Sequence, residues 1–303
     1  MKRDILITES TNSDFENVDQ LDTASLIELI NNQNRLIPQA IEQVTPTIIK
    51  VVDAIAERYK KGGRLIYIGA GSSGRIGILD AVELTPTYNV SPKRVFGLIA
   101  GGKEAMFRAI EGAEDSEKEA VEELRRIELN GLDSLVAIAA SGKTPYCKAA
   151  IEYGNEMGAL TVAITNNNKS EMEKIADLSI VPIVGPEVIS GSTRMKAGTA
   201  QKIVVNTIST ALMIRLGKVY KNYMVNVQAT NEKLLCRSIN IIQKVTNLDY
   251  EKAKELFIKS EYNVACAIVM HETKSTIEEA KSALDLCEDC VREAIKMVFA
   301  QRA

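Results

Sequence analysis

Apolar residues recur at helical spacing from Thr23 to about Gly62, through TASLIELINNQNRLIPQAIEQV and TPTIIKVVDAIAERYKKGG. The spacing predicts helices there, with Pro46 suited to an early helical position and Gly62-Gly63 ending the run. Beyond that point short apolar stretches alternate with amphipathic ones. Arg64 to Gly69, Val95 to Ala100, SLVAIAAS, LTVAITN and LSIVPIV read as buried strands. Helices are expected between them: Ser73 to Leu84, with Pro86 helping to stop it, Glu104 to Glu111, and Ser116 to Leu129. The last opens on a capping box, Ser116 and Glu119. GKTPYCKAAIEYGNEMG and KSEMEKIAD supply two more, and GPEVISGSTRMKAGTAQKIVVNTISTALMIRLGK is a loop followed by a long helix. After Lys218 the strands cease, and from about Leu248 three short helices are expected. Strand and helix in alternation predict an α/β fold: a central parallel sheet flanked by helices on both faces, plus an all-helical C-terminal region. The expected domains are a helical arm over 1–45, a ligand-binding domain over 46–240 and a small helical domain over 241–303.

Composition narrows the function. The chain has 303 residues, 46% apolar and 25% charged, as a folded globular protein should. A net charge of -3 gives no reason to expect nucleic acid or an anionic membrane as partner. The first residues lack the apolar core of a signal peptide, and no run spans a bilayer, so a cytoplasmic location is expected. Five cysteines, an odd number, do not form a disulfide framework. Cys287 and Cys290 make a C-x-x-C, but inside a helix-like stretch with no second pair, so they read as structural. His271 is the only histidine, which removes most Ser-His and Cys-His schemes.

The candidate chemistry sits at the strand ends, where open parallel sheets bind ligands. Gly69, Gly71 and Gly74 spell G-x-G-x-x-G after a strand and before a helix, the place for a dinucleotide turn. A dinucleotide site also needs an acid at the end of the next strand, and NVSPKRVFGLIAGG has none. Ser72 and Ser73 in this turn, Ser141 to Thr144, and Ser190 to Thr193 instead place small and hydroxyl residues ahead of three helices. Backbone N–H groups, hydroxyls and a helix N-terminus make a phosphate cradle. Each loop taken singly is also an ordinary capped glycine turn; three at equivalent strand ends favour binding of a monophosphate.

GPEVISGSTRMKAGTAQK, Gly185 to Lys202, resembles the signature shared by N-acetylmuramic acid 6-phosphate etherases and the glucokinase regulatory protein, both of the sugar isomerase (SIS) family. YIGAGSSGRIGILDAVELTPTY, LIAGG, EGAEDS, AASGKTPY and the N-terminal ITESTN resemble the etherase branch, over nearly the whole chain. The resemblance implies a three-layer SIS fold, a phosphorylated amino sugar as ligand, no cofactor and no metal, and a homodimer with sites near the subunit boundary.

It also implies removal of the D-lactyl group from N-acetylmuramic acid 6-phosphate, as part of cell-wall amino-sugar recycling. Elimination from an open-chain sugar followed by hydration needs an acid and a base, a division two carboxyl groups can make. Glu83 follows Ile76 by seven residues and Leu79 by four. One helix face holds all three and is expected to pack inward, partly desolvating Glu83. Spacing alone leaves open a helix-end glutamate in solvent. Glu114, in EGAEDS, reads equally as an acidic helix entrance. The etherases' two catalytic acids fall on these positions, so Glu83 is expected as general acid for the leaving oxygen. Glu114 is expected as the base that takes the C2 proton and later activates water. Ser72, Ser73, Ser141, Thr144, Ser192, Thr193, Arg194 and Lys196 are the expected substrate-binding residues. Lys143 is a further source of charge, and Lys202 reads as structural. Two other readings remain: a non-catalytic regulatory phosphosugar-binding protein, which would be longer, and a nicotinamide enzyme, which lacks its acid.

Overall fold

The computed structural model describes residues 6–227 and 231–302. The chain forms two compact units, one running to Val82 and resuming over Pro92–Ser209, the other made of Glu83–Ser91 and the chain from Thr210 onward. The division falls inside two helices, α3 (Gly71–Tyr88) and α7 (Lys196–Arg215). It does not coincide with the boundaries expected at 45/46 and 240/241. The N-terminal helices α1 (Thr23–Asn34) and α2 (Leu36–Lys60) belong to the first unit, where Ile37 and Ala40 pack with Ala197 and Ala200 of α7.

The first unit is built on five parallel strands: β1 (Leu65–Gly69), β2 (Val95–Ile99), β3 (Ser134–Ile138), β4 (Leu160–Ile164) and β5 (Leu178–Ile180). Their order is β2-β1-β3-β4-β5, with Leu65 level with both Val95 and Ser134, and Ser134 level with Leu160. Every residue of β1, β3 and β4 is buried. That is the condition of strands covered on both faces, and it explains their mainly apolar runs. On one face α4 (Glu117–Arg126) and α5 (Pro145–Glu156) bring Leu124, Tyr146, Ala150 and Ile151 against Ile66, Ile68, Leu135 and Ala137. Tyr67 alternates with Ile66 and Ile68, so it points to the opposite face. There α3 lies so close that a Cβ on Gly77 would stand 2.8 Å from Tyr67 Cβ. The short α6 (Glu171–Ile175) opens on a full capping box between Ser170 and Glu173.

Four expectations change. Pro46 lies inside α2, not near a helix start, and is exposed, so water can serve the carbonyl its ring leaves unbonded. Pro86 does not stop α3, which runs to Tyr88. Glu104 to Glu111 is not an α-helix but a 3-10 turn over Gly102–Met106, followed by irregular chain. Gly101 and Gly102 enter it at φ 83° and 66°, and Ala105 is its one buried residue, so a longer helix would have no face to bury. The tail beyond Leu248 holds four helices rather than three among the described residues.

Those four, α9 (Tyr250–Lys259), α10 (Val264–Thr273), α11 (Ile277–Leu286) and α12 (Val291–Arg302), follow α8 (Glu232–Thr246). Helix α10 is buried from Val264 through Val269, the mark of a helix surrounded by others, and α8, α9, α11 and α12 all pack on it. The stretch that reads as one helix breaks at Glu288 and Asp289, which adopt left-handed φ of 51° and 63°. Lys218 Nζ holds that corner, donating to Glu288 O and Asp289 Oδ2, each at 3.0 Å. Cys287 and Cys290 flank the corner, and all five cysteines are free thiols.

At the strand-start edge of the sheet a single carboxylate joins β1 to β3. Asp133, with no exposed surface, accepts from Arg64 N at 3.0 Å, Arg64 Nε at 2.9 Å and Asn130 N at 3.1 Å. Removing it takes the counter-charge from a guanidinium otherwise held by the Ile127 and Glu128 carbonyls, and strands two N–H donors. Asp133→Ala is expected to cost about 3–5 kcal/mol, read as a lower urea midpoint at unchanged m.

Candidate active site

The G-x-G-x-x-G turn owes its glycines to two separate requirements. A Cβ on Gly69 would stand 2.8 Å from Gly74 N, and one on Gly74 only 2.7 Å from Gly69 O. The first turn of α3 therefore rests directly on the end of β1. Gly71 has open space around its Cβ position but a φ of +52°. From this turn a cavity of about 240 Å³ opens, lined by Ala70, Gly71, Arg75, Ala100, Glu111 and Glu114 among others. Arg75 anchors its far wall, donating from Nε to Met106 O at 3.2 Å and from NH2 to Arg108 O at 3.1 Å.

Glu114 reaches the cavity from a 3-10 turn, Ala113–Asp115, that follows Gly112 at φ 75°. It is exposed, and the turn packs on α5. Its charge is felt there: burial first, and then Glu114, push the Cys147 thiol up to about 12. Cys147 is therefore a neutral core residue. The start of α5 is short of a cap, because Thr144 occupies the N-cap position without a side-chain bond to the helix. Ser141 Oγ accepts from Lys143 N at 3.2 Å, and Lys143 is exposed. Free N–H groups, a free hydroxyl and a lysine make this loop able to take an anion.

The loop ahead of α7 is electrostatically different. Glu187, 2% exposed, accepts from Lys196 N at 3.0 Å and Ala197 N at 2.9 Å, filling the helix N-terminus with a carboxylate of the chain itself. Lys196, expected to meet substrate, is 2% exposed, and its Nζ donates to Gln33 Oε1 at 2.8 Å. Burial lowers its pKa, with Glu187 acting in the opposite sense. Ser192 and Thr193 are half-buried, and Arg194 is exposed. In the glycine turn Ser72 is half-buried, whereas Ser73 is buried and donates to Gln201 Oε1 at 2.8 Å, its proton committed inside the protein. Gln201 in turn donates to Asn166 Oδ1 at 3.1 Å.

Glu83 is exposed and lies on the part of α3 that belongs to the second unit; it is not among the residues lining the cavity. The inward-packing face predicted for it is not found, since Leu79 is 55% exposed. The buried side of α3 is instead Ser73, Gly77, Asp80 and Leu84. Asp80 can face inward because Asn206 Nδ2 and Ser209 Oγ donate to its Oδ1, at 2.6 and 2.9 Å. Burial raises its pKa, against those hydrogen bonds. A polar residue on the inner face and Leu79 and Val82 on the outer one reverse the pattern that spacing implies. The reading of the sequence also missed Arg75, Glu111 and Glu187. Glu187 stands inside the quoted signature, but nine residues ahead of the helix it caps, too far for any capping rule.

Comparison with known proteins decides the family. Residues 47–155 match the glucokinase regulatory protein N-terminal SIS domain, and 221–266 match the C-terminal lid domain of that protein. N-acetylmuramic acid 6-phosphate etherase 1 of Enterococcus faecalis is 53% identical over 92% of this chain and 93% of its own. The Clostridium beijerinckii N-acetylmuramic acid 6-phosphate etherase is 48% identical over 97% and 96%. The chain belongs to the N-acetylmuramic acid 6-phosphate etherase family. The non-catalytic regulatory reading is not favoured, because the etherases match over 92% and 97% of this chain.

The glycine turn allows a sharp test. Gly71→Ala meets no atom and pays only for left-handed φ, about 1–2 kcal/mol. Gly74→Ala must part α3 from β1, so its loss of stability in urea unfolding is expected to exceed that of Gly71→Ala.

Proposed function

We propose that this chain is a carbon–oxygen lyase that cleaves the D-lactyl ether of N-acetylmuramic acid 6-phosphate. The products are N-acetylglucosamine 6-phosphate and D-lactate. What carries the reading is a carboxylate, Glu114, lining the cavity of the glycine turn in a chain 53% identical to an etherase over 92% of its length. The uncapped start of α5, with Ser141, Thr144 and Lys143, receives the phosphate, where helix dipole and lysine favour a dianion. Ser72, Ser192, Thr193 and Arg194 face the sugar. Ser73 and Lys196, both buried, act by bracing their loops.

An ether resists cleavage because an alkoxide leaves badly. In the open-chain sugar the aldehyde acidifies C2. Glu114 takes the C2 proton, and the electron pair forms a C2–C3 double bond as the C3–oxygen bond breaks. Glu83, which stands outside the lining of the Glu114 cavity, is assigned the proton for the departing lactyl oxygen. Water then adds at C3, losing a proton to a carboxylate, and C2 regains one. Atoms and charge balance with one water consumed and no electron donor or acceptor.

The protein works as a homodimer in the cytoplasm under this reading. Leu79 (55% exposed), Val82 (62%) and Phe107 (93%) offer apolar surface for a second copy to cover. No helix among the described residues is long and apolar enough to cross a membrane.

Lactate release from N-acetylmuramic acid 6-phosphate tests the assignment. Wild type is expected to release lactate without added nicotinamide, and Glu83→Ala and Glu114→Ala to lose about 10²–10⁴ in kcat while remaining folded. Phosphosugar binding with no lactate from wild type would sink the lyase.

A further inference from the structure

The turn Ile7–Glu9, part of the ITESTN motif, is tied to two loops far along the chain. Thr8, 1% exposed, donates its N–H to Asn167 Oδ1 at 3.2 Å. Asn167 Nδ2 donates back to Thr8 Oγ1 at 2.9 Å and to Ala140 O at 2.8 Å. Ala140 is the residue before Ser141, so this latch joins the turn to the loop ahead of α5. On its other side Ser190 Oγ donates to Glu9 O at 3.4 Å. The Glu9 carboxylate lies over the Gly191 turn, with Oε2 3.2 Å from where a Cβ on Gly191 would stand. Glu9 itself is exposed and forms no ion pair among the described residues.

Two candidate binding loops are thus bridged by a turn that ends in an exposed acid, and they offer different groups to a ligand. The loop ahead of α5 offers free N–H groups and Lys143. The loop ahead of α7 has its helix N-terminus filled by Glu187, a second carboxylate, Glu9, over Gly191, and the exposed Arg194 further along. The helix end behind the second loop has its first N–H groups already taken, so it holds none for a phosphate, whereas a group with O–H or N–H to donate meets the Glu9 carboxylate. We propose that Glu9 is a specificity-determining residue. Its carboxylate accepts hydrogen bonds from the hydroxyl or amide donors of the amino sugar and directs the phosphate to the loop ahead of α5.

This rests on the etherase reading, and the test separates the two. Calorimetry measures Kd for N-acetylglucosamine 6-phosphate and for inorganic phosphate in wild type, Glu9→Ala and Glu9→Gln. Glu9→Ala is expected to weaken the phosphosugar about ten- to hundredfold, as loss of a charged acceptor does, and to leave phosphate unchanged or tighter. Glu9→Gln, which keeps an acceptor oxygen, should fall between. An unchanged phosphosugar Kd in Glu9→Ala would overturn the proposal. So would equal losses for both ligands, which mean a loosened loop instead of a lost contact. Lactate release by wild type alongside either result confines the failure to Glu9; no release by wild type removes the etherase reading itself.

Discussion

The contact on which the rest depends is between two backbones. Gly69 ends β1, Gly74 lies in the first turn of α3, and neither has room for a single carbon more. That approach lets Ala100 N–H reach Gly69 O at 3.1 Å, so the end of β2 closes over the same turn. It sets Arg75 where its guanidinium can tie down the carbonyls of Met106 and Arg108. The irregular chain from Met106 to Glu114, which has few buried residues of its own, gains its position from that arginine. A carboxylate is thereby carried to the glycine turn on a segment with little internal structure.

The second organising feature is where the chain spends its own charges. Glu187 and Lys196 are both buried at the start of α7, one capping the helix and the other reaching Gln33 of α1. They are costly groups to bury, and each is satisfied by hydrogen bonds instead of by a direct ion pair. Their effect is to join α1 to α7 and to leave the first N–H groups of α7 already taken. The uncapped α5 is left as the end that can take an anion.

Much of this was legible in the sequence. The five strands are short apolar runs because both faces of the sheet are covered, and their order along the chain needed only the alternation with helices. The glycine turn was also legible, together with the missing acid that argued against a dinucleotide. What could not be read was polarity turned inward. Asp80 is buried through partners on α7, 126 and 129 residues away in sequence, so the periodicity of α3 pointed to the wrong face. Glu187 and the Thr8–Asn167 latch were hidden for the same reason, since a long-range hydrogen bond leaves no spacing rule behind. The break at Glu288 and Asp289 was missed because two left-handed residues there are not glycines, and the tertiary hold of Lys218 stabilises them.

The proposed lyase breaks the ether at C3 by elimination and rehydration. The most direct measurement runs the reaction in D2O and, separately, in H2(18)O, with the N-acetylglucosamine 6-phosphate analysed by NMR and mass spectrometry. Deuterium at C2 and solvent oxygen at C3 are expected, with the original ether oxygen leaving in D-lactate. A product with its C2 proton retained and its original oxygen at C3 would mean displacement at the lactyl carbon, and would contradict the elimination.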